Sequence, residues 1–549
     1  MATDMGNTMK LDQAPFPRDL KYAVVTALVF SSPLYAQDAA QNPAMPAFFS
    51  QGNPGEGDGR AFVIKPRISL SETWSDNVSL VRSPNGSKES GFITELAPGV
   101  HIDARTARLK AYFDYTLRGQ FYTTPSGYSR TQNQLNTFGT LEAVSEWLFL
   151  DFSGVIAQQA ISAFGTQSPG TSNINSNSTE TSTYRVSPYV RGQMAGLADY
   201  LLRYNYSTTQ ASASNVSDIE TSEWMGQLRG STPFQNLRWS LDASKQTADY
   251  SRGRQTDSER LYASATYTLI PQFRLTASGG EEANNFASPD KVTHTTHGYG
   301  FDWTPTERTQ ISGFKEKRFF GDGHRYSFSH RFPLSSISFS DTRDVSVLPN
   351  QFATVGVGTI FDLFKQICSQ QYASQYSNPV QLDTVATLCA NQAIVSTGIP
   401  GNTQVTSSFL SSRATIQRRQ QLALAMQGAR NTLTVMFNRS ENQSILASDS
   451  VSDDFFANNT NSIKQRGITV NLSHQLTGQS NATVMASRQD STGAGSTVQK
   501  VTTTMYQGSL VSKLGPKTTG TLTVRHTKFD TVGSPYTENA VIGTLSFIY

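Results

Sequence analysis

From Ala107 to Tyr122 the chain sorts its side chains with period two. Ala107, Leu109, Ala111, Phe113, Tyr115, Leu117, Gly119 and Phe121 alternate with Arg108, Lys110, Tyr112, Asp114, Thr116, Arg118, Gln120 and Tyr122. A helix would scatter these residues around its axis, whereas a strand places them on two faces. Soluble strands usually run about 5–6 residues, so an alternation this long excludes most soluble sheets.

The pattern recurs along the chain. Leu237, Trp239, Leu241 and Ala243 alternate with Arg238, Ser240, Asp242 and Ser244; Leu261, Ala263, Ala265, Tyr267 and Leu269 alternate with Tyr262, Ser264, Thr266 and Thr268. Leu433, Val435 and Phe437, then Ile468, Val470 and Leu472, then Leu522 and Val524 repeat it downstream. Connections alternate as well. Short turns (104–107, 196–199, 232–236, 270–273, 304–308, 428–431, 514–517) interleave with long polar segments (161–182, 208–220, 281–291, 440–461). Short turns at one end and long loops at the other are the habit of an outer-membrane barrel. In hydrocarbon every backbone N–H and C=O must be paired, so a spanning sheet has to close on itself. Only 37% of residues are hydrophobic, as expected when half of every strand meets water. The fold class expected is all-β: a transmembrane antiparallel β-barrel over residues 64–549, with about 22 strands in a range of roughly 16–22.

No run of 18 apolar residues exists, which excludes a membrane helix. The compact apolar run Tyr22–Phe30 follows Arg18 and Lys21 and precedes a small residue, Ala36. Basic start, short apolar core and small residue describe a signal peptide over 1–36, and Met9 offers a shorter start. Residues 37–63 are rich in Gln, Asn, Pro and Gly and read as a flexible periplasmic lead-in. At the other end Val541, Leu545, Phe547 and Tyr549 share a face and the chain stops on an aromatic. Leu545, Phe547 and Tyr549 resemble the C-terminal signal read by the barrel-assembly machinery, which becomes an expected partner beside outer-membrane lipid. The expected location is the Gram-negative outer membrane. A net charge of +3 with scattered basic residues gives no ground for a nucleic-acid partner.

Residues 345–411 interrupt the strand pattern and hold both cysteines, Cys368 and Cys389. In an oxidising periplasm an even count suggests a disulfide, which on the chain-entropy model contributes roughly 3 kcal/mol for a loop of about 20 residues; two free thiols are the alternative. Phe361, Phe364, Lys365 and Cys368 fall at helical spacing, and 377–395 reads as helix after its proline. The expectation is a small disulfide-closed helical insert in one long extracellular loop, capping the mouth or plugging the lumen.

Catalytic signatures are absent: no G-x-S-x-G elbow, no H-E-x-x-H and no phosphate-binding glycine loop. His294 and His297 stand three apart on a strand and so point to opposite faces, which argues against a metal site. His324, His330, His474 and His526 lie in no recognisable catalytic surroundings. No catalytic residue, cofactor or metal is expected. The polar strand faces expose charges of both signs: Arg108, Lys110, Asp114 and Arg118, with Arg238, Asp242 and Arg525 elsewhere. Either they satisfy one another across a hydrated lumen, or they form a path for an anionic or sugar substrate. Tyr122, Trp147, Tyr189, Trp303 and Phe332 lie near strand ends and suit interface girdles, while Trp239 reads as mid-strand and lipid-facing.

The segments ISLSETWSDNVSL (68–80), ITELAPGV (93–100), DYTLRGQFY (114–122), LEAVSEWLFLDFSGVIAQQ (141–159) and YRVSPYVRG (184–192) together resemble the exosortase/PEP-CTERM system-associated outer-membrane proteins. The likeness is strongest over roughly 64–206 and does not extend to the 345–411 insert. It implies a non-enzymatic barrel beside exopolysaccharide and protein-sorting systems, serving export or surface attachment of polysaccharide or exported protein, and brings no catalytic residues. A general or substrate-specific diffusion porin, an outer-membrane hydrolase, and a structural or adhesive barrel are the alternatives.

Overall fold

A computed structural model of the protein describes residues 61–81, 88–194, 196–214, 216–347, 410, 413–445, 460–495 and 499–549. The chain runs up and down through β1 (Phe62–Ser75), β2 (Gly91–Arg105), β3 (Leu109–Tyr122), β4 (Ser129–Val144), β5 (Leu148–Ala160), β6 (Ser178–Met194) and β7 (Ala198–Ala211). It continues through β8 (Ile219–Ser231), β9 (Leu237–Tyr250), β10 (Thr256–Ile270), β11 (Phe273–Asn284), β12 (Val292–Thr306), β13 (Thr309–Arg318) and β14 (Gly321–Arg331). The last strands are β15 (Ser335–Ser346), β16 (Thr415–Gln427), β17 (Asn431–Ser444), β18 (Thr460–Gln475), β19 (Ser480–Gly495), β20 (Gln499–Lys513), β21 (Thr518–Thr531) and β22 (Tyr536–Ile548).

Each strand pairs antiparallel with the next, and β22 pairs with β1 to close a 22-stranded sheet, Leu545 facing Leu70 and Phe547 facing Ile68. Closure leaves no edge, which is the condition for strands to cross a membrane. The expected strand number and antiparallel order hold. Alternation gives the wall two faces. Ile68, Leu70, Leu117, Phe437, Ile468, Leu472, Leu522 and Val524 stand exposed on the outside, where lipid covers them; Thr116, Gln120, Thr469, Asn471, Ser473, Thr523 and Thr527 are buried inside. The chain is therefore a β-barrel of the outer membrane.

Both ends of the wall sit at the rim with the short turns (106–108, 145–147, 232–236, 271–272, 307–308, 514–517), which is the periplasmic rim. Val345 and Ser346 complete β15, so the connection from β15 to β16 starts later than the sequence suggested and opens at the extracellular rim, as strand parity requires. The segments expected to be helical there, with Cys368 and Cys389, lie outside the described residues, as do residues 1–36, read as a signal peptide, and most of the segment read as lead-in. β1 opens at Phe62, within the segment read as lead-in.

Several expectations are corrected. Strands reach further than the sequence suggested: β6 begins at Ser178, inside the 161–182 segment read as loop, and β17 runs to Ser444. Above the lipid both faces meet water, so a strand there carries polar residues throughout and imitates a loop. Arg108 lies in the 106–108 turn rather than on a strand face. Tyr122 and Tyr189 do not belong to an interface girdle. Tyr122 is buried and its hydroxyl donates to Ser172 O (2.6 Å), while Tyr189 stacks on Phe149, with ring centroids 5.1 Å apart. Trp147, Trp303 and Phe332 do stand exposed at the periplasmic end. Trp239 is the third residue of β9, near the periplasmic rim rather than mid-strand, and lies over Gly230 of the neighbouring strand.

Candidate functional site in the barrel lumen

The lumen wall of β1–β4 carries a connected set of charges. Arg67 grips Asp114 with two guanidinium nitrogens, Nη1 at 2.7 Å and Nη2 at 2.5 Å, and Nη2 also donates to Thr116 Oγ1 at 2.6 Å. His101 bridges two carboxylates, Nδ1 at 3.1 Å from Asp114 and Nε2 at 3.1 Å from Asp103. Arg118 reaches Glu95 (3.3 Å) and Gln134 (2.8 Å), and Gln120 donates to Glu95 (2.7 Å). Strand pairing produces this: His101 stands directly opposite Asp114 and Gln120 directly opposite Glu95, so each inward face meets its neighbour's.

The charges named from the sequence divide in two. Asp114, Arg118, Asp242 and Arg525 face the lumen and are paired, Asp242 with Gln227 and Ser240 and Arg525 through Nη2 with Glu538. Lys110 and Arg238 stand exposed near the periplasmic mouth. The reading in which lumen charges satisfy one another fits the first group. Arg67, His101, Asp103 and Glu538 were not singled out, because period two assigns a face and not a partner.

The most informative element is the β5–β6 connection, residues 161–177, which turns into the barrel. Asn177 folds it: its Oδ1 accepts from Ser162 N (2.8 Å) and its Nδ2 donates to Ser162 O (2.9 Å), while Asn175 Nδ2 donates to Thr166 O (2.8 Å). A compact loop closed by its own side chains results. Its outer edge is bonded to the wall on both sides. Toward β3 and β4, Thr171 O accepts from Arg130 Nη2 (2.5 Å) and Gln132 (3.1 Å). Toward β22, Asn173 Nδ2 donates to Glu538 Oε1 (2.7 Å), and Tyr536 hydroxyl donates to Gln167 O. Glu538 also accepts from Ser75 (3.0 Å) and Arg525 (3.2 Å) and is fully buried.

Apolar residues within this polar loop plug into the wall. Ile174 packs against Val78, Ile93 and Tyr122; Phe164 packs against Leu80, Val501, Phe529 and Tyr536; Ala163 meets Ile463 of β18. Passing from β5 back through β1 and on to β18 covers close to half the barrel wall, so the loop spans a large sector near the extracellular mouth. Opposite it, Tyr250, Phe286, Val347 and Ala414 gather into a second apolar cluster at the same rim. Together they narrow the entrance.

Elsewhere the inward wall is polar, and several of its side chains are fully buried. Neither side-chain atom of Asn442 nor of Asn471 has a partner within the described protein. Buried amides of this kind are satisfied by ordered water. His294 and His297 point to opposite sides, inward and outward. Among the described residues no group of three or more His, Cys, Asp or Glu side chains could hold a metal ion.

Neither a protein-family model nor a curated protein matches the chain. Similar solved structures include the siderophore receptor PirA from Pseudomonas aeruginosa (TM-score 0.43, 8% identity, covering 88% of this chain and 80% of that one). The FrpB iron transporter of Neisseria meningitidis, F5-1 variant, gives a TM-score of 0.47 at 9% identity over 88% and 82%. The siderophore receptor PirA from Acinetobacter baumannii gives 0.43 at 9% over 88% and 80%.

Proposed function

We propose that this outer-membrane barrel is a non-enzymatic conduit for hydrophilic cargo, serving export or surface attachment of exopolysaccharide or sorted proteins, as the family resemblance implies. The observation that carries the conduit reading is the lumen itself: an inward wall of Thr, Asn, Gln, Ser and charged side chains narrowed on one side by the anchored 161–177 loop. A barrel serving only as scaffold or adhesin has no need of a polar interior with a built constriction. The exopolysaccharide and sorting link rests on the resemblance alone.

A diffusion porin is the second reading, favoured by the charges of both signs on the inward strand faces, among them Arg67, Asp114 and Arg118. Planar bilayers with purified full-length protein test both. Ionic current that rises when residues 165–172 are replaced by a short Gly-Ser link supports a conduit; no current from either protein rules it out. Added polysaccharide that blocks the current, together with lost exopolysaccharide or surface display in a deletion strain, favours export. Unblocked current and an unchanged strain favour the porin.

A further inference from the structure

The outside of the barrel carries a second feature unrelated to the lumen. On β17, β18 and β19 the apolar outer face ends at Phe437 and Ile468, which stand opposite each other and are about half exposed. Two residues further toward the extracellular rim, on the same face, Arg439 stands directly opposite Arg466. Like charges directly opposite on an antiparallel pair destabilise it. Arg488 and Lys464 complete the group, and among the described residues Glu441 and Asp490 are the carboxylates that pair with the four cations.

The balance is poor in geometry as well as in number. Lys464 approaches Glu441 to 3.2 Å, but Arg439 lies 3.9 Å from Glu441, and Arg466 and Arg488 lie 3.8 and 3.6 Å from Asp490. Among the described residues the three guanidiniums thus keep most of their donors free, and the Arg466 and Arg488 side chains are 67% and 60% exposed. Arg439 and Arg466 sit just above the hydrocarbon-facing row, and Arg488 stands level with its last residue, opposite Ile468, within reach of Asp490 above it, so the three bracket the level where the headgroups of the outer leaflet lie. Guanidinium forks match phosphate oxygens bidentately, and an anion between Arg439 and Arg466 would remove their repulsion.

We infer that this ledge binds the phosphorylated headgroup of an outer-leaflet glycolipid, tying the barrel to its surrounding lipid. Purified full-length protein in detergent is mixed with bisphosphorylated lipid A or with the same lipid dephosphorylated, and retained lipid is counted by native mass spectrometry. Retention of the phosphorylated lipid at least tenfold above the dephosphorylated one is expected, falling to that background in the triple variant Arg439→Gln, Arg466→Gln, Arg488→Gln. The pair Glu441→Gln, Asp490→Asn removes the competing carboxylates and is expected to raise retention, which keeps the test independent of how well the triple variant folds. Equal retention of the two lipids, no response to the pair, or full displacement of lipid A by millimolar inorganic phosphate would overturn the inference.

Discussion

Asn173→Ala isolates the anchor of the inward loop. Asn173 is 2% exposed, and its Nδ2 donates at 2.7 Å to the fully buried Glu538. The substitution leaves Glu538 bonded to Arg525 and Ser75, so the barrel wall keeps its own ion pair and the loss falls on the loop. A hydrogen bond to a charged group contributes roughly 1.5–3 kcal/mol. At about 1.4 kcal/mol per tenfold, the undocked population of the loop should rise roughly 10–150-fold. The adjacent amide reads this directly, because Ile174 N donates to Val78 O (3.2 Å) only while the loop is docked. Hydrogen exchange of peptides covering Ile174 should accelerate by that factor, while peptides from the middle of β17 and β18 keep their rates. In bilayers the same variant should show more frequent or larger open steps. An exchange rate at Ile174 within about threefold of the parent would refute the assignment of Asn173 as an anchor, since a factor of three is worth only about 0.6 kcal/mol.

Other substitutions probe the wall and its ends. Val470→Arg, on the outer face between Ile468 and Leu472, should cost about 2–4 kcal/mol in urea unfolding from lipid vesicles, whereas Thr469→Arg, pointing into the lumen, should cost far less; similar costs would contradict the assignment of faces. Gly280→Ala places a methyl carbon 2.1 Å from Leu261 O and 2.5 Å from Tyr262 Cα, so β10 and β11 must separate locally, with an expected loss of roughly 1–3 kcal/mol in the same titration. Tyr549→Ala removes a ring lying 4.4 Å from Lys517 Nζ, worth about 0.5–1 kcal/mol at an exposed site. Pulse-chase folding in cells should nonetheless slow severalfold if the terminal aromatic is an assembly signal, and unchanged kinetics would remove that role.

The barrel was legible because period two is a local property. Whether Leu117 and Arg118 face opposite ways depends on neither partner strand, and the same holds for Phe437 against Asn438, so faces and parity could be assigned one strand at a time. Loop ends were less legible. Thr179 and Thr181 of β6, like Arg439 and Glu441 of β17, lie on strands that have risen above the lipid, and nothing in their polarity separates them from loop. The periplasmic turns were placed closely because lipid-facing residues run almost to that rim, as Leu237 beside 232–236 and Ile270 beside 271–272 show.

Partners were the hardest to read, and the reason bears on function. Asp114 could be recognised as inward from its strand, yet its companions Arg67 and His101 lie on two other strands, and only register brings them within 3.1 Å. The 161–177 loop is the same problem enlarged: its anchor Glu538 is 365 residues from Asn173. A trace was present in Ala163, Phe164 and Ile174, since apolar side chains gain nothing in a loop that projects into water. Three of them in a segment made mostly of Ser, Thr, Asn, Gln and Gly require an apolar surface to receive them, and among the described residues the extracellular rim supplies one on the inside of the barrel, at Leu80, Ile93, Phe529 and Ile463. In this connection the three apolar side chains therefore point inward, and they mark it as the one that narrows the mouth on its side.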